Sequence, residues 1–457
     1  MRPIADIHKF RVADTALVLD VPSGSLHVVD EVAWEVLGFY HLGREECCRW
    51  LGPRHGAEQV AAAWEEVREL EAAGALFSRE DRTPPRERQP LKALCLNVAH
   101  ACDLTCCYCF AGQGSFGQPG LMSADTARAA VDFLVAASGS RPHCELDFFG
   151  GEPLLNLEVV RQTVDYARRS GKEFRFTLTT NATRLDREVA AYLDAEGFSV
   201  VLSLDGRPEV NDAFRTFPDG SGSYRRVATN IDAFVSGRGG RDYFVRGTYT
   251  RYNTDFSRDF LHLLERGWRR LSLEPVVAPP EADYALRPED VTRCEKEYER
   301  LATLYLAAKR QCPDLVFFHF EVDLERGPCR WRALTGCGAA SEYLAVTPAG
   351  ELYPCHQFVG LEAFRLGDVW RGVSSSLVET FRRATALDKP ACAACWARYL
   401  CGGGCHAQAY FSSGDLYTPS PLACRLQRRR LECALYVQAS LRLAGLDRSA
   451  PFTSSGS

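Results

Sequence analysis

From residue 91 to about residue 323, short apolar runs alternate with stretches whose apolar residues recur at helical spacing. The runs at 91–98, 145–149, 174–179, 199–204, 243–249 and 270–276 predict strands. Residues 124–137, 157–169 and 186–195, lying between them, predict helices. Strands separated by helices pair in parallel, because the crossover returns the chain to the same end of the sheet. Six such units predict an α/β fold built on a partial (β/α)6 barrel.

The flanks are patterned differently. Residues 16–20 and 25–29 are β-rich around Pro22, Ser23 and Gly24, which predicts a hairpin. Helical pattern follows at 31–40 and 57–73. Residues 1–80 therefore form one module and 81–90, charged and proline-bearing, a linker to the barrel at 91–323. Residues 324–448 are cysteine-rich with glycine turns and a closing helix at 425–443. The small polar end at 449–457 is expected to be disordered.

The chain has 457 residues, 46% apolar and 25% charged, ordinary for a soluble protein of two or three domains. A net charge of −5 gives no global basic surface and argues against a nucleic-acid partner. No start resembles a secretory signal and no apolar run approaches the roughly 18 residues of a membrane span. The expectation is a cytoplasmic protein without a membrane partner. In that reducing compartment 19 cysteines point to metal ligands or catalytic thiols rather than disulfides. Seven of them, Cys47, Cys48, Cys95, Cys144, Cys294, Cys312 and Cys433, lie apart and read as small core residues. The other twelve fall into two fields.

The first field is Cys102-x3-Cys106-x2-Cys109, just after the first barrel strand. A 4Fe–4S cube normally takes four cysteines, so three thiolates hold three irons and leave the fourth open. Cys107 is out of register. Structural zinc wants four closed ligands, and no fourth fits locally. Gly150-Gly151-Glu152-Pro153, Thr180-Asn181, Ser203-Leu204-Asp205-Gly206 and Arg246 fall at or near the ends of the following strands, where barrels build active sites.

With Tyr108 before the last cysteine, this spacing resembles the radical S-adenosylmethionine (SAM) superfamily. The resemblance implies that the open iron chelates the amino and carboxylate groups of SAM, and that reduction yields a 5′-deoxyadenosyl radical. It implies a cofactor shell in which Gly150 and Gly151 admit the ligand close to the backbone and Glu152 accepts from the methionyl ammonium. Ser203 and Asp205 extend that shell to the ribose region. Tyr108 and Asn181 are further cofactor-binding candidates, and Arg246, within the fifth strand, is expected to pair with the carboxylate. No catalytic acid or base is assigned by the pattern, and Glu274, at the sixth strand end, is the candidate base.

The second field, Cys392-x2-Cys395-x5-Cys401-x3-Cys405 with Cys424 after it and Cys337 and Cys355 before it, resembles the SPASM extension of peptide-modifying radical enzymes. Leu366-Gly367-Asp368-Val369 is similar to its usual Gly-Asn strand. That resemblance implies two auxiliary 4Fe–4S clusters, three with the radical one. Cys337, Cys355 and Cys405 would hold the first, with Cys329 or a substrate thiolate as fourth ligand. Cys392, Cys395, Cys401 and Cys424 would hold the second. The first 80 residues, with a further strand expected at 75–77, resemble the winged-helix element that binds leader peptides by strand addition.

The chain as a whole is similar to the maturases that form thioethers in SCIFF peptides (six cysteines in forty-five residues). The strings that carry this are Ile7-His8-Lys9-Phe10, Val28-Val29-Asp30, Phe149-Gly150-Gly151-Glu152-Pro153-Leu154-Leu155-Asn156, Leu204-Asp205-Gly206-Arg207, Arg246-Gly247-Thr248, Glu274-Pro275-Val276 and Tyr353-Pro354-Cys355-His356-Gln357. It implies a cysteine-rich precursor peptide with a leader, and an electron donor of the ferredoxin or flavodoxin type. Two other readings stand beside it: a different radical modification, namely formylglycine formation or epimerisation, and a non-catalytic zinc-ribbon scaffold with a winged helix.

Overall fold

The computed structural model describes residues 7–80, 89–322, 324, 330–374 and 376–446, without the side chains of 330–332. Most of the expected linker, the tail and Cys329 lie outside the described residues.

The chain opens with an antiparallel sheet, β1 (Ile7–Val12), β2 (Thr15–Asp20) and β3 (Leu26–Val29), in that order. Three helices cover it: α1 (Glu31–Phe39), α2 (Arg44–His55) and α3 (Ala57–Ala72). Val18, Val36, Leu37, Leu51, Val60 and Val67 form their shared core. The sequence pattern did not predict β1 or α2. Strand β1 is an edge strand carrying His8, Lys9 and Arg11, and α2 buries only Cys47 and Leu51. The strand expected at 75–77 is absent, because Phe77 adopts a left-handed φ of 50° that breaks an extended run. That segment meets the hairpin through side chains instead, with His27 bonded to the Ala75 carbonyl.

The main sheet contains β4 (Ala93–His100), β5 (Gly120–Leu121), β6 (His143–Gly150), β7 (Glu173–Thr180), β8 (Ser199–Ser203), β9 (Tyr243–Tyr249) and β10 (Arg270–Pro275). Apart from the short antiparallel β5 these strands pair in parallel and in chain order. The fold is therefore α/β on a parallel sheet. The crossover helices are α4 (Ala124–Ala137), α5 (Leu157–Arg168), α6 (Arg187–Ala195), α7 (Pro208–Phe214), α8 (Tyr224–Gly237) and α9 (Phe256–Glu265). Their buried residues recur at helical spacing, as Val160, Thr163, Val164 and Ala167 do in α5. Every second residue of β6, and of β7 from Phe176 onward, is buried, which turns Asp147, Phe149, Thr177 and Thr179 toward the other face.

The sheet does not stop at the cysteine-rich region. After α10 (Pro288–Gln311), β11 (Val316–Phe317) adds beside β10. After α11 (Arg330–Thr335), β12 (Tyr343–Val346) pairs in parallel with β4. Short strands β13 (Glu351–Tyr353), β14 (Gly367–Asp368) and β15 (Gly372–Val373) follow in antiparallel order. Helices α12 (Leu377–Arg383), α13 (Pro390–Ala393), α14 (Arg398–Cys401), α15 (His406–Ser413) and α16 (Pro421–Leu443) complete the fold. Among the described residues no helix is long and apolar enough to cross a membrane.

Candidate active site

Cys102, Cys106 and Cys109 lie in the loop leaving the C-terminal end of β4. The loop is fixed from two sides. The Thr105 and Cys107 amides donate to the carbonyls of Thr216 and Phe214, at 2.8 and 3.0 Å. On the other side the Gly151 and Glu152 amides donate to the carbonyls of Ala99 and Ala101, at 2.7 and 2.8 Å. This approach is why glycine is required at 150 and 151. A Cβ there would stand 2.3 Å from the Ala99 oxygen and 2.1 Å from the Ala101 oxygen, and Gly150 has φ +129°.

Glu152 is fully buried between β6 and β7. Its Oε1 accepts from the Leu154 amide and the Thr180 hydroxyl, and its Oε2 from the Asn181 amide, at 3.0, 2.7 and 2.8 Å. Burial pushes its carboxyl up to about 7, against those three donors. Asn181 continues the network: its Nδ2 donates to Asp103 at 2.8 Å and stands 3.6 Å from Cys102 Sγ. Asp205, also buried, accepts from the Tyr108 hydroxyl at 2.5 Å and from the Thr248 amide at 3.0 Å. Arg215, which no sequence motif marks, donates to Tyr108 at 3.0 Å, and its Nε is buried with no described partner.

The thiols themselves act on one another. Burial drives Cys102 up to about 12, with Glu152, Cys106 and Asp103 adding to it. Burial also raises Cys106; Arg215 works against that, while Asp205, Cys109 and Cys107 add to it. Three thiols grouped on one loop beside a buried guanidinium suit an iron–sulfur cube, whose binding would displace the thiol protons and add negative charge beside Arg215 to that of Asp205. Among the described residues no set of three His, Cys, Asp or Glu side chains is arranged to hold a single metal ion.

A cavity of about 2280 Å³ opens along the exposed face of the sheet, lined by Tyr108, Asp147, Ser203, Arg246 and Glu274. Arg246 donates to Glu274 at 2.7 Å. Burial works to raise the Glu274 carboxyl, but Arg246, His319 and Arg430 outweigh it and hold it at about 2. A carboxylate that acidic is a weak proton acceptor at neutral pH, which counts against Glu274 as a base.

The wall of the same cavity also carries Cys337, Cys355, Cys392, Cys395, Cys401, Cys405 and Cys424. They fall into two groups by mutual influence. Cys355 is raised by burial, then by Cys405 and Cys337. Burial, then Cys337, pushes Cys405 up to about 11. Cys392 is likewise pushed up to about 11 by burial, with Cys424, Cys401 and Cys395 adding to it. Cys401 and Cys424 are raised by burial and by Cys395. The N-terminal sheet abuts this wall. The His8 ring stacks on Trp396 at 3.9 Å, and Arg398 and Tyr399 donate to Glu80 at 2.7 and 2.6 Å.

Residues 96–274 match the family model described as the Radical SAM superfamily, a span running from within β4 to within β10. The Mycofactocin maturase MftC of Mycolicibacterium smegmatis is 28% identical over 72% of this chain and 82% of its own. The fold is similar to a solved structure described as native anSMEcpe with bound AdoMet and Cp18Cys peptide, at a TM-score of 0.64 and 21% identity over 78% of this chain and 99% of that one. It is also similar to Streptococcus suis SuiB bound to precursor peptide SuiA, at a TM-score of 0.53 and 16% identity over 91% and 98%.

Proposed function

We propose that this chain, with a radical SAM superfamily domain at residues 96–274, matures a cysteine-rich ribosomal peptide by joining cysteine sulfur to the carbon of an acceptor residue as a thioether. The observation that carries the reading is the single cavity. Its lining joins Tyr108 and the sheet face to both groups of thiols. Its volume of about 2280 Å³ exceeds the roughly 300–1,000 Å³ of small-molecule sites, which favours a peptide. Two of the similar folds are described with bound peptides, Cp18Cys and SuiA.

In this reading Cys102, Cys106 and Cys109 hold the cube that binds SAM. Cys337, Cys355 and Cys405 hold a second, with Cys329 or a substrate thiolate completing it, and Cys392, Cys395, Cys401 and Cys424 hold a third. Together these groups supply hydrogen abstraction from the acceptor carbon, an iron site for the substrate sulfur and an outlet for the electron left when the C–S bond forms. The protein's own contribution is position. Asn181 and Arg215 hold the cysteine loop, and the cavity keeps sulfur and carbon adjacent, an orientation effect worth several kcal/mol. A leader peptide adds to an edge of the β1–β3 sheet and feeds the core peptide past Trp396. A ferredoxin- or flavodoxin-type protein supplies the electron.

Mass spectrometry tests the product. A cysteine-rich precursor incubated with reduced enzyme and SAM is expected to lose two hydrogens per link, with the lost thiols no longer alkylatable. An unchanged mass contradicts crosslinking and would fit epimerisation.

A further inference from the structure

Lys389 is fully buried, at 0% exposure, immediately before the Pro390–Ala393 helix that carries Cys392. Its Nζ donates to the Gly403 carbonyl at 2.9 Å and stands 3.5 Å from His406 Nδ1. Gly403 lies between Cys401 and Cys405, so one side chain ties together the loops that carry both thiol groups. Among the described residues Lys389 forms no ion pair with a carboxylate. Burial lowers the Lys389 ammonium, and Cys392, Cys401, Cys405 and Cys337, two from each set, act against that. An ammonium taken out of water without a counter-charge is strongly disfavoured. The thiols supply that counter-charge once they are deprotonated on iron.

We propose that Lys389 is the counter-cation shared by the two auxiliary centres, and that it holds both of their reduction potentials up together. The inference rests on the reading of the two thiol sets as cluster ligands. Each one-electron reduction adds one negative charge to a cube, and a fixed cation nearby favours that state. Because Lys389 is bonded to Gly403, between Cys401 of one set and Cys405 of the other, its effect falls on both.

The test uses protein reconstituted without oxygen in a C102A/C106A/C109A background, which removes the signal of the radical cluster. Iron and sulfide are counted, and each auxiliary centre is titrated electrochemically under electron paramagnetic resonance. Lys389→Met is expected to lower both potentials, by about tenfold in each reduction equilibrium or ~59 mV. Lys389→Arg is expected to stay near the parent. Potentials unmoved in Lys389→Met, or movement of only one, overturn the inference. If Lys389→Met loads no clusters, loading restored in Lys389→Arg supports the charge role, and failure of both variants overturns it. A parent that binds no auxiliary iron instead overturns the cluster reading itself.

Discussion

The C102A/C106A/C109A protein is expected to release no 5′-deoxyadenosine above background, while keeping the iron held by the other thiol sets. Besides the bond from the Leu104 amide to Cys102 Sγ at 3.4 Å, the loop that carries the three cysteines is anchored by backbone bonds at Thr105, Cys107, Gly151 and Glu152, which survive the change. Removing all three is the decisive form of the experiment, because Cys107 is exposed in the same loop and is the neighbour able to substitute for a single lost ligand. Liquid chromatography of the nucleoside, paired with iron and sulfide analysis, reads both halves of the expectation. Wild-type levels of 5′-deoxyadenosine from this variant would mean that the chemistry sits elsewhere.

Glu152→Ala is expected to lower folding stability by roughly 3–5 kcal/mol, because it leaves three buried donors without an acceptor at about 1–3 kcal/mol each. The change strands the Leu154 and Asn181 amides and the Thr180 hydroxyl in a site with no exposure. Against a total of about 5–15 kcal/mol for an ordinary domain, that is a large fraction. Glu152→Gln keeps an acceptor and should cost less, and it also isolates a pH effect. Burial raises the folded carboxyl from 4.5 to about 7, so between those values the folded state holds a proton that the unfolded state has lost. The stability from this group is fully present below about 4.5 and is lost as pH rises through about 7, on the order of 3 kcal/mol in all. Urea denaturation at about pH 5 and about pH 8 reads it: wild type should lose more stability across that interval than Glu152→Gln. Equal losses would show that Glu152 does not titrate there.

The six strands and three helices of the central region were legible because burial alternates along β6 and β7 and recurs at helical spacing in α4 and α5. Boundaries came within two residues for the same reason. Elements whose stability comes from neighbours were not legible. β1 is polar at three of six positions, and the stacking of His8 on Trp396 is made by a residue 388 positions away. The continuation of the sheet from β4 into β12 was also hidden, since a parallel partner arrives from a distant segment without local pattern. The strand expected at 75–77 failed on a single backbone angle at Phe77.

The candidate site divides the same way. The grouping of the cysteines was legible from spacing, since residues at short, fixed intervals share one loop. Arg215 and Lys389 were not, because an arginine after α7 and a lysine before Pro390 look like surface charges until the fold buries them. Glu152 was found by its motif, but what the structure adds is that both of its oxygens are already engaged by the ends of β6 and β7.

The most direct test of the account is nucleoside release by wild-type protein, loaded with iron and sulfide, reduced and given SAM without oxygen. The account predicts 5′-deoxyadenosine and methionine in equal amounts. Fully loaded, reduced protein that leaves SAM intact would contradict it.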